Sequence, residues 1–259
     1  MFPAERIVCL TEETTETIYL LGEERRIVGI SGYTVRPPRA RKEKPRVSAF
    51  ISADIPKILA LDPDLVLTFS DLQADIVAGL IRAGVAVHAF NQRSIAGILD
   101  MIRMVGCFVG AEKRAEALVM QFTKRIEDVR SATYALAGRP KVYFEEWDDP
   151  MISGIQWVSE LITIAGGEDV FPERAAGKSA TERIVTIDRV IAAAPDIIIG
   201  SWCGKKFSSS RLAGRPGFDV IPAVRTGRLH EIKSPIILQP GPAALTDGLD
   251  ALLRIIRPE

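Results

Sequence analysis

The sequence predicts an α/β protein of two similar lobes, each with a parallel sheet, joined by one long backbone helix. The first supporting observation is a repeat: residues 59–67, LALDPDLVL, and 191–199, IAAAPDIII, each combine a helix end, a Pro-Asp step and an apolar strand. The second is a pair of short apolar strands at 6–10 and 141–145, each followed by acidic residues and a helix. The third is a long amphipathic stretch between the halves. Two such lobes imply a cleft in which a ligand can bind.

The first lobe, residues 1–93, alternates strands with helices. Strands are predicted at 6–10, 26–30, 64–68 and 85–90, and helices at about 15–22, 54–60 and 72–83, with a proline-rich loop at 33–46. The continuous apolar run at 65–67 is typical of a strand that is covered on both faces of a parallel sheet. This alternation predicts a small Rossmann-like unit.

The segment between the lobes, residues 94–138, has a different pattern. Ser94 is predicted to cap a helix that ends at Gly110. From Ala111 to Leu136 a helical apolar stripe continues without interruption, which corresponds to roughly 39 Å of helix. Because the repeat restarts at Lys141, we interpret this stretch as a backbone helix that links the lobes; an ordinary packing helix of one lobe is the alternative.

The second lobe, residues 139–259, repeats the order of the first. Strands are predicted at 141–145, near 169, at 196–200 and at 228–232, and helices at 156–165, 186–193, 217–224 and 243–256. A cationic loop follows the strand at 196–200. The fold class is therefore α/β, with two Rossmann-like lobes and one linking helix.

The balance of charge limits the classes of partner. The 259 residues are long enough for two domains, and they include 33 basic and 33 acidic side chains. Zero net charge argues against nucleic acid or a membrane surface held by bulk electrostatics. No run of about 18 apolar residues occurs, so no membrane insertion is expected.

Two features of the chain bear on its compartment. The start, MFPAERIVCL, does not match a secretory signal, and Cys9, Cys107 and Cys203 are odd in number and widely spaced. Both features favour reduced thiols in the cytoplasm. A mature periplasmic protein from which a signal had been removed would have the same sequence, so that location stays open.

Acidic residues follow the first strand of each lobe, where ligands bind in parallel sheets. The residues predicted to contact a ligand there are Glu12, Glu13, Glu145, Glu146 and Trp147. Carboxylates that lie close together raise one another's pKa unless a cation or an N–H-rich ligand intervenes. The pattern therefore favours a ligand that is positive or rich in N–H groups. Glu16 and Asp149 are interpreted as structural residues, Glu16 as part of a helix cap.

The phrase SWCGKKF at 201–207 follows a strand of the second lobe and adds candidate ligand contacts. Trp202 offers an aromatic face, and Lys205 can neutralise a carboxylate of the protein or of the ligand. Cys203 stands beside two lysines, which can lower a thiol pKa, although a small buried apolar role is an equal alternative.

Motifs for metal chemistry and for catalysis are absent from the sequence. The histidines, His88 and His230, lie at matching positions of the two lobes and are interpreted as packed residues. No HExxH, CxxC, phosphate-binding glycine loop or GxSxG elbow occurs. No metal site or enzymatic activity is predicted, and oxygen ligation of a hard cation by the glutamates is the open alternative.

The order and spacing of several phrases resemble a known family. The phrases are TETIYLLG, GISGYTVRPP, LALDPDLVLTFS, SGIQWVSELITIAGGEDVF and APDIIIGSW. Together they resemble the class III, helical-backbone substrate-binding proteins of ABC importers for iron-siderophores and vitamin B12. The resemblance implies ligand binding without chemistry and a helix that restricts lobe motion to small openings.

The resemblance also implies particular ligand contacts. Tyr33 matches a cleft tyrosine of the vitamin B12 binders, and Phe50 matches a cleft tryptophan. Met151 matches a cleft phenylalanine, and the loop at 233–239, which ends at Gln239, matches a loop that reaches the ligand. Aromatic or apolar character is kept at the three side-chain positions, which suits an extended flat ligand.

Docking to a permease is expected to differ from the family pattern. Members of the family carry one acidic residue at the start of equivalent helices in each lobe, and these places hold Pro56 and Asp188 here. Proline cannot form an ion pair, so the contact of the first lobe is predicted to be missing unless Asp54 substitutes for it.

The predicted function is non-catalytic binding of a corrinoid or another metal chelate in the inter-lobe cleft, with no cofactor required. Tyr33, Phe50, Trp147 and Trp202 are expected to supply faces, and the orienting residues are Glu145, Glu146, Arg36 and Lys205. The expected partners are the small ligand and an ABC importer permease. The alternative is a cytosolic enzyme or metallochaperone that uses the acidic residues and Cys203.

Overall fold

A computed structural model of the protein describes residues 3–135 and 138–258. The chain forms two compact units. The first unit contains the residues up to Gln92 together with Ala96–Gln121, and the second contains Arg93–Ile95 together with the residues from Phe122 onward. Each unit has its own sheet and its own buried core.

The first unit is a parallel α/β sheet with covering helices. Its strands are β1 (Ile7–Cys9), β2 (Ile27–Ser31), β3 (Arg46–Ser48), β4 (Leu65–Phe69) and β5 (Val87–Phe90). Its helices are α1 (Glu12–Leu20), α2 (Ala40–Glu43), α3 (Ile55–Leu59), α4 (Ala74–Arg82) and α5 (Ile95–Val109). In the described residues the strand order is β3-β2-β1-β4-β5, with every neighbouring pair parallel. The winding direction reverses between β1 and β4, as in doubly wound folds.

One long helix, α6 (Glu112–Tyr134), links the two units. Its 23 residues span about 35 Å at the usual helical rise. The linking role predicted from the sequence is confirmed; Leu136, where the predicted helix ended, lies outside the described residues. Gly106 of α5 allows the start of α6 to approach closely, because a Cβ atom there would lie 2.3 Å from that of Ala115.

The second unit repeats this arrangement with one addition. Its strands are β6 (Lys141–Asp148), β7 (Met151–Ser153), β8 (Glu168–Asp169), β9 (Ile197–Gly200) and β10 (Leu229–Glu231). Its helices are α7 (Gln156–Ile164), α8 (Pro172–Ala175), α9 (Ile187–Ala193), α10 (Ser209–Ala213), α11 (Pro222–Arg225), α12 (Ser234–Ile237) and α13 (Leu249–Ile256). The order is β10-β9-β6-β7, and β8 pairs with the start of β6. Only β7 runs antiparallel among these described strands.

The repeated Pro-Asp phrase performs the same structural role in both units. Asp64, before β4, accepts hydrogen bonds from the backbone N–H groups of Glu5 and Arg6 just before β1. Asp196, before β9, accepts one from the N–H of Lys141 at the start of β6. In each unit the aspartate therefore fixes the start of the neighbouring strand, which sets the register of the central pair.

The position of the first acidic residues differs from the predicted loop. Glu12 and Glu13 form the first turn of α1, and Thr11 stands at the N-cap with extended backbone. Carboxylates in the first turn interact favourably with the helix dipole, which explains the earlier start of the helix. Both side chains are buried.

The second acidic segment is also not a loop. Strand β6 continues through Glu145, Glu146 and Trp147 to Asp148 and forms a hairpin with β7. The second sheet is therefore not wholly parallel, which the sequence did not predict. The extension is stable because the charged side chains of β6 find cationic partners elsewhere in the unit.

The carboxyl-terminal helices are more broken than predicted. The stretch at 217–224 is a 3₁₀ turn followed by α11, which begins at Pro222. The last helix begins with a π-helical segment, Ala244–Gly248, before α13. The loop after β9 contains the unpredicted α10, whose amino-terminal cap is the side chain of Ser208.

Candidate functional site

The first unit places two glutamates of α1, Glu12 and Glu16, against the loop that follows β2. Glu12 accepts a hydrogen bond from the backbone N–H of Val35 at 3.2 Å. Glu16 pairs with the guanidinium of Arg36 at 2.8 Å. These contacts hold the loop from two turns of the helix. Glu16 lies inside α1 and pairs with Arg36, so it is not part of the predicted helix cap.

The two glutamates in the first turn of α1, Glu12 and Glu13, have pKa values raised toward neutral pH. Burial raises the pKa of Glu12 to about 8 and that of Glu13 to about 7. The neighbouring glutamates add to both shifts, whereas the N–H of Val35 lowers the pKa of Glu12 and Thr11 lowers that of Glu13. Burial, rather than mutual repulsion, is the main cause.

The loop after β2 carries the most exposed aromatic candidate of the first unit. Tyr33 is 56% exposed, and its backbone N–H is held by the hydroxyl of Ser31. Phe50 is half-buried, and its carbonyl accepts a hydrogen bond from the side chain of Gln73 at 2.8 Å. Gln73 also donates to the carbonyl of Leu10 at the end of β1, which ties the Phe50 segment to the sheet.

In the second unit, Glu145 is the centre of a buried polar cluster. Its carboxylate accepts hydrogen bonds from the indole N–H of Trp202 at 2.9 Å and from the hydroxyl of Tyr143 at 3.0 Å. Arg215 donates two further hydrogen bonds to the same carboxylate, at 2.5 and 2.9 Å. Burial and the Glu145 carboxylate raise the pKa of Tyr143 well above its usual value. The cluster is rigid, because every oxygen of Glu145 is used twice.

A second carboxylate, Asp148, lies under two cations. Lys205 and Arg211 both form ion pairs with it, the latter at 3.3 Å. The ammonium of Lys205 also lies 4.1 Å from the ring centroid of Trp147 and 5.9 Å from that of Trp202, within the range of cation–π attraction. Burial raises the pKa of Asp148, but the two cations outweigh it and lower the pKa below its ordinary value.

The loop after β9 is fixed by packing as well as by charge. Trp202 is buried and contacts Phe207 edge to face at 5.0 Å between ring centroids. Phe207 in turn lies against Gly200, where a Cβ atom would stand 2.2 Å from the ring. Trp147 is only half-buried, so its indole is the more accessible of the two.

The other residues of the second unit that the sequence predicts as ligand contacts are Glu146, Met151, Cys203 and Gln239. Glu146 forms an ion pair with the buried Arg183, whose guanidinium also donates to the carbonyl of Ser153. Met151 is buried, and its sulfur accepts a hydrogen bond from Arg215 at 3.2 Å. Cys203 is exposed on the loop after β9, and Gln239 is half-buried after α12.

The predicted docking residues stand at the starts of short helices. Asp54 caps α3 by accepting a hydrogen bond from the N–H of Lys57 at 3.0 Å, and Pro56 lies in the first turn. Asp188 is exposed in the first turn of α9. Pro56, the second residue of α3, is therefore the counterpart of Asp188, and Asp54 lies two residues before it.

The histidines pack as the sequence indicated. His88 contacts the rings of Phe90 and Phe108 at 4.4 and 5.0 Å, and burial lowers its pKa. Burial, with a smaller effect of Arg228, lowers the pKa of His230. Among residues 3–135 and 138–258, no group of three His, Cys, Asp or Glu side chains is arranged to hold a metal ion. In the same residues no helix is long and apolar enough to cross a membrane.

Three cationic residues of the second unit were missed by the sequence analysis: Arg183, Arg211 and Arg215. Arg183 and Arg215 reach carboxylates that are 37 and 70 positions away in the chain, so no local spacing indicates the pairing. A compositional signal was present, because the segment 205–215 contains four cations and no acid. Such a segment predicts a carboxylate-rich neighbour.

The comparisons with known proteins assign the family. The model of the family described as periplasmic binding protein matches residues 7–236. The chain belongs to the periplasmic binding protein family. This membership agrees with the resemblance stated from the sequence and with the pair of α/β units linked by α6.

The relatives of this periplasmic binding protein include proteins that are named for different ligands. The Vitamin B12-binding protein of Vibrio cholerae serotype O1 is 28% identical over 204 residues, which covers 77% of this chain and 71% of the relative. The uncharacterized ABC transporter substrate-binding lipoprotein YvrC of Bacillus subtilis is 25% identical and covers 98% and 81%. The periplasmic heme-binding protein RhuT of Roseiflexus sp. RS-1 superimposes with a TM-score of 0.82 at 25% identity, covering 98% and 100%. Relatives of this chain are therefore substrate-binding proteins, periplasmic or lipoprotein in form.

Proposed function

We propose that the protein is the substrate-binding component of an ABC importer and that it binds a corrinoid or another metal chelate. The observation that carries the proposal is the half-buried indole of Trp147 beside a fixed polar cluster at the carboxyl ends of β6 and β9, in a chain of this family. Its similarity to a vitamin B12-binding and a heme-binding protein supports a macrocyclic ligand.

The physical basis is preorganisation of the residues that support the proposed site. Arg215, Tyr143 and Trp202 lock the Glu145 carboxylate, and Phe207 seats the following loop on Gly200. A site whose side chains are already ordered loses little conformational entropy on binding. The exposed Tyr33 of the first unit, carried on a loop that Glu12 and Glu16 hold, is proposed as a second aromatic contact.

Delivery of the ligand to a permease is part of the proposal. Asp188 is an exposed acidic residue in the first turn of α9, and Asp54, the N-cap of α3, is the acidic residue nearest to the corresponding place, which Pro56 holds. Exposed carboxylates at these positions suit ion pairs with cations of a permease. The location that fits this role is outside the cytoplasmic membrane, as for the periplasmic and lipoprotein relatives.

The test is ligand-dependent stabilisation of the purified protein. Hydroxocobalamin and hemin are added separately, and thermal unfolding and the visible absorption spectrum are recorded. A ligand that binds only the folded form raises the melting temperature, with about 2.7 kcal/mol of stabilisation at a concentration of 100 Kd. Absence of any shift and any spectral change with corrinoid, heme and ferric-siderophore chelates would contradict the proposed function.

A matched pair of tyrosine substitutions tests the contribution of the first unit. Tyr33→Ala is expected to weaken chelate binding, whereas Tyr134→Ala on α6, 80% exposed, serves as the control and leaves binding unchanged. Equal effects of the two substitutions would remove Tyr33 from the proposed site.

A further inference from the structure

In the cluster around Glu145 and Asp148, the carboxylates lie inside and the cations that pair with them lie outside. The side chains of Glu145 and Asp148 are fully covered. The cations that cover them are increasingly exposed, from Arg215 at 13% through Lys205 at 33% to Arg211 at 61%. A ligand that approaches the carboxyl ends of β6 and β9 in this unit therefore meets cations before carboxylates.

The local charge is positive. Arg215 is balanced by Glu145, whereas Lys205 and Arg211 share the single carboxylate of Asp148. The flanking exposed residues, Lys206 and Asp149, cancel one another. One positive charge is thus left over, on side chains that reach solvent.

The two outer cations keep hydrogen-bonding capacity for a ligand. An ammonium has three N–H donors and a guanidinium has five, and both residues are partly solvent-exposed after pairing with Asp148. Lys205 lies over the indole of Trp147, so a charged group bound there is next to an apolar ring surface. The lowered pKa of Asp148 keeps that carboxylate ionised and the two cations in place.

We infer that Lys205, Arg211 and Trp147 form an anion-recognition subsite, and that the ligand is a macrocycle or chelate with a carboxylate or phosphate group at its edge. The inference rests on the proposed function and specifies the class of ligand. It also reverses the expectation of a positive or N–H-rich ligand for this unit, because Arg215 and Arg183 already occupy Glu145 and Glu146.

The test compares two water-soluble, metal-free porphyrins of opposite charge. The anionic probe is meso-tetra(4-carboxyphenyl)porphyrin, and the cationic probe is meso-tetra(N-methyl-4-pyridyl)porphyrin. Binding is measured by absorption and by quenching of tryptophan fluorescence at two salt concentrations. The protein is expected to prefer the anionic probe by about tenfold or more, with a preference that weakens at high salt.

Four substitutions locate the effect. Lys205→Met and Arg211→Met are each expected to lower the affinity for the anionic probe about fivefold to tenfold, consistent with loss of one charge-assisted hydrogen bond. Lys206→Met removes the same charge from the adjacent exposed residue and is expected to change affinity less than twofold. Lys205→Arg is expected to restore most of the binding.

A double substitution separates direct contact by Lys205 from an effect of the local net charge. Lys205→Met alone lowers the local charge by one, whereas Asp148→Asn combined with Lys205→Met removes one cation and one carboxylate and keeps the wild-type charge. Weak binding of the anionic probe by this double variant supports direct contact by Lys205. Recovery of wild-type affinity would overturn it.

The outcomes distinguish this inference from the proposed function. Equal affinity for the two porphyrins, or an effect of Lys206→Met as large as that of Lys205→Met, overturns the subsite and leaves chelate binding intact. Binding of hydroxocobalamin without binding of either porphyrin also counts against the subsite. Failure of every chelate, including hydroxocobalamin and hemin, contradicts the proposed function itself.

Discussion

Two buried glutamates of α1 make the stability of the first unit depend on pH. The pKa of Glu12 is raised to about 8 and that of Glu13 to about 7, mainly by burial, from an ordinary value of 4.5. Between about pH 4.5 and these values, the folded protein binds protons that the unfolded chain has released. The free energy of unfolding therefore falls as pH rises through this window, by at most about 1.4 kcal/mol per pH unit for each group.

Glu12→Gln and Glu13→Gln are expected to flatten that dependence. A neutral amide has no proton to lose, so each variant loses less stability than the wild type between pH 5 and pH 8.5. Urea unfolding at four pH values in this range measures the difference.

The matched control for these two variants is Glu127→Gln on α6. Glu127 is 53% exposed and pairs with Arg130 at the surface, so its substitution should leave the slope unchanged. If the free energy of unfolding of the wild type rises with pH over the same range, these carboxyl groups do not control its stability.

Arg215 has a structural role that its sequence position does not reveal. It makes two hydrogen bonds to the fully covered Glu145, and its removal leaves a buried carboxylate without its cation. Arg215→Met is expected to destabilise the protein by about 3 kcal/mol, the range for breaking a buried ion pair on one side.

The control for Arg215 is a surface ion pair of the same unit. Arg189 pairs with Glu173, and both side chains are about half-exposed. Arg189→Met should cost less than about 1 kcal/mol. A similar loss for the two variants in chemical denaturation would mean that Glu145 is stabilised without Arg215.

At the scale of the elements, the Pro-Asp repeat sets the register of the central strands. Asp64 and Asp196 each accept N–H hydrogen bonds at the start of the neighbouring strand, β1 and β6 respectively. The sequence showed the repeat, but the partner of each aspartate is 55 or more positions away and belongs to no local motif.

Asp64→Ala and Asp196→Ala are expected to destabilise the unit that contains the substitution. Each removes charge-assisted hydrogen bonds at a partly exposed position, so a loss of about 1–2 kcal/mol is expected. Hydrogen exchange should show faster exchange at Ile7–Cys9 for the first variant and at the start of β6 for the second. Asp219→Ala, an exposed acid in a 3₁₀ turn, is the control. Loss of protection in the same strand with all three variants would contradict a local role.

Element boundaries were predicted well where apolar periodicity is strong. The helix at Ile95–Val109 begins directly after Ser94, as predicted. Helix α9 and strand β9 lie within the helix and the strand predicted at 186–193 and 196–200. Among the exceptions are acidic residues: Glu12 and Glu13 lie in a helix, and Glu146 lies in a strand. Polar residues were read as loops because their burial depends on partners that pattern analysis does not contain.

At the scale of the whole molecule, α6 joins two units that repeat one topology. Strands β5-β4-β1-β2 of the first sheet correspond to β10-β9-β6-β8 of the second. The proposed ligand contacts, Tyr33 and Trp147, belong to different units. Each residue is proposed as a ligand contact of its own unit and should contribute to affinity.

A double-mutant cycle with Tyr33→Ala and Trp147→Ala measures this property. Each single variant is expected to weaken hydroxocobalamin or hemin binding by at least fivefold, a loss of about 1 kcal/mol or more. Isothermal titration calorimetry gives the affinities, and thermal unfolding of the free variants monitors folding. Loss of affinity from only one of the two substitutions would place the ligand on one unit alone.

The sequence by itself determined the two-lobed α/β fold, the linking helix and the family resemblance, because the repeat, the apolar strands and the helical stripe are local patterns that the chain states directly. Only the tertiary structure decided which charges reach solvent. Glu145 was predicted to contact a ligand, yet it and Asp148 are covered by Arg215, Lys205 and Arg211, which present the opposite charge. The physical reason is that a buried carboxylate is stable only with a cation beside it, and the chain supplies that cation from distant positions.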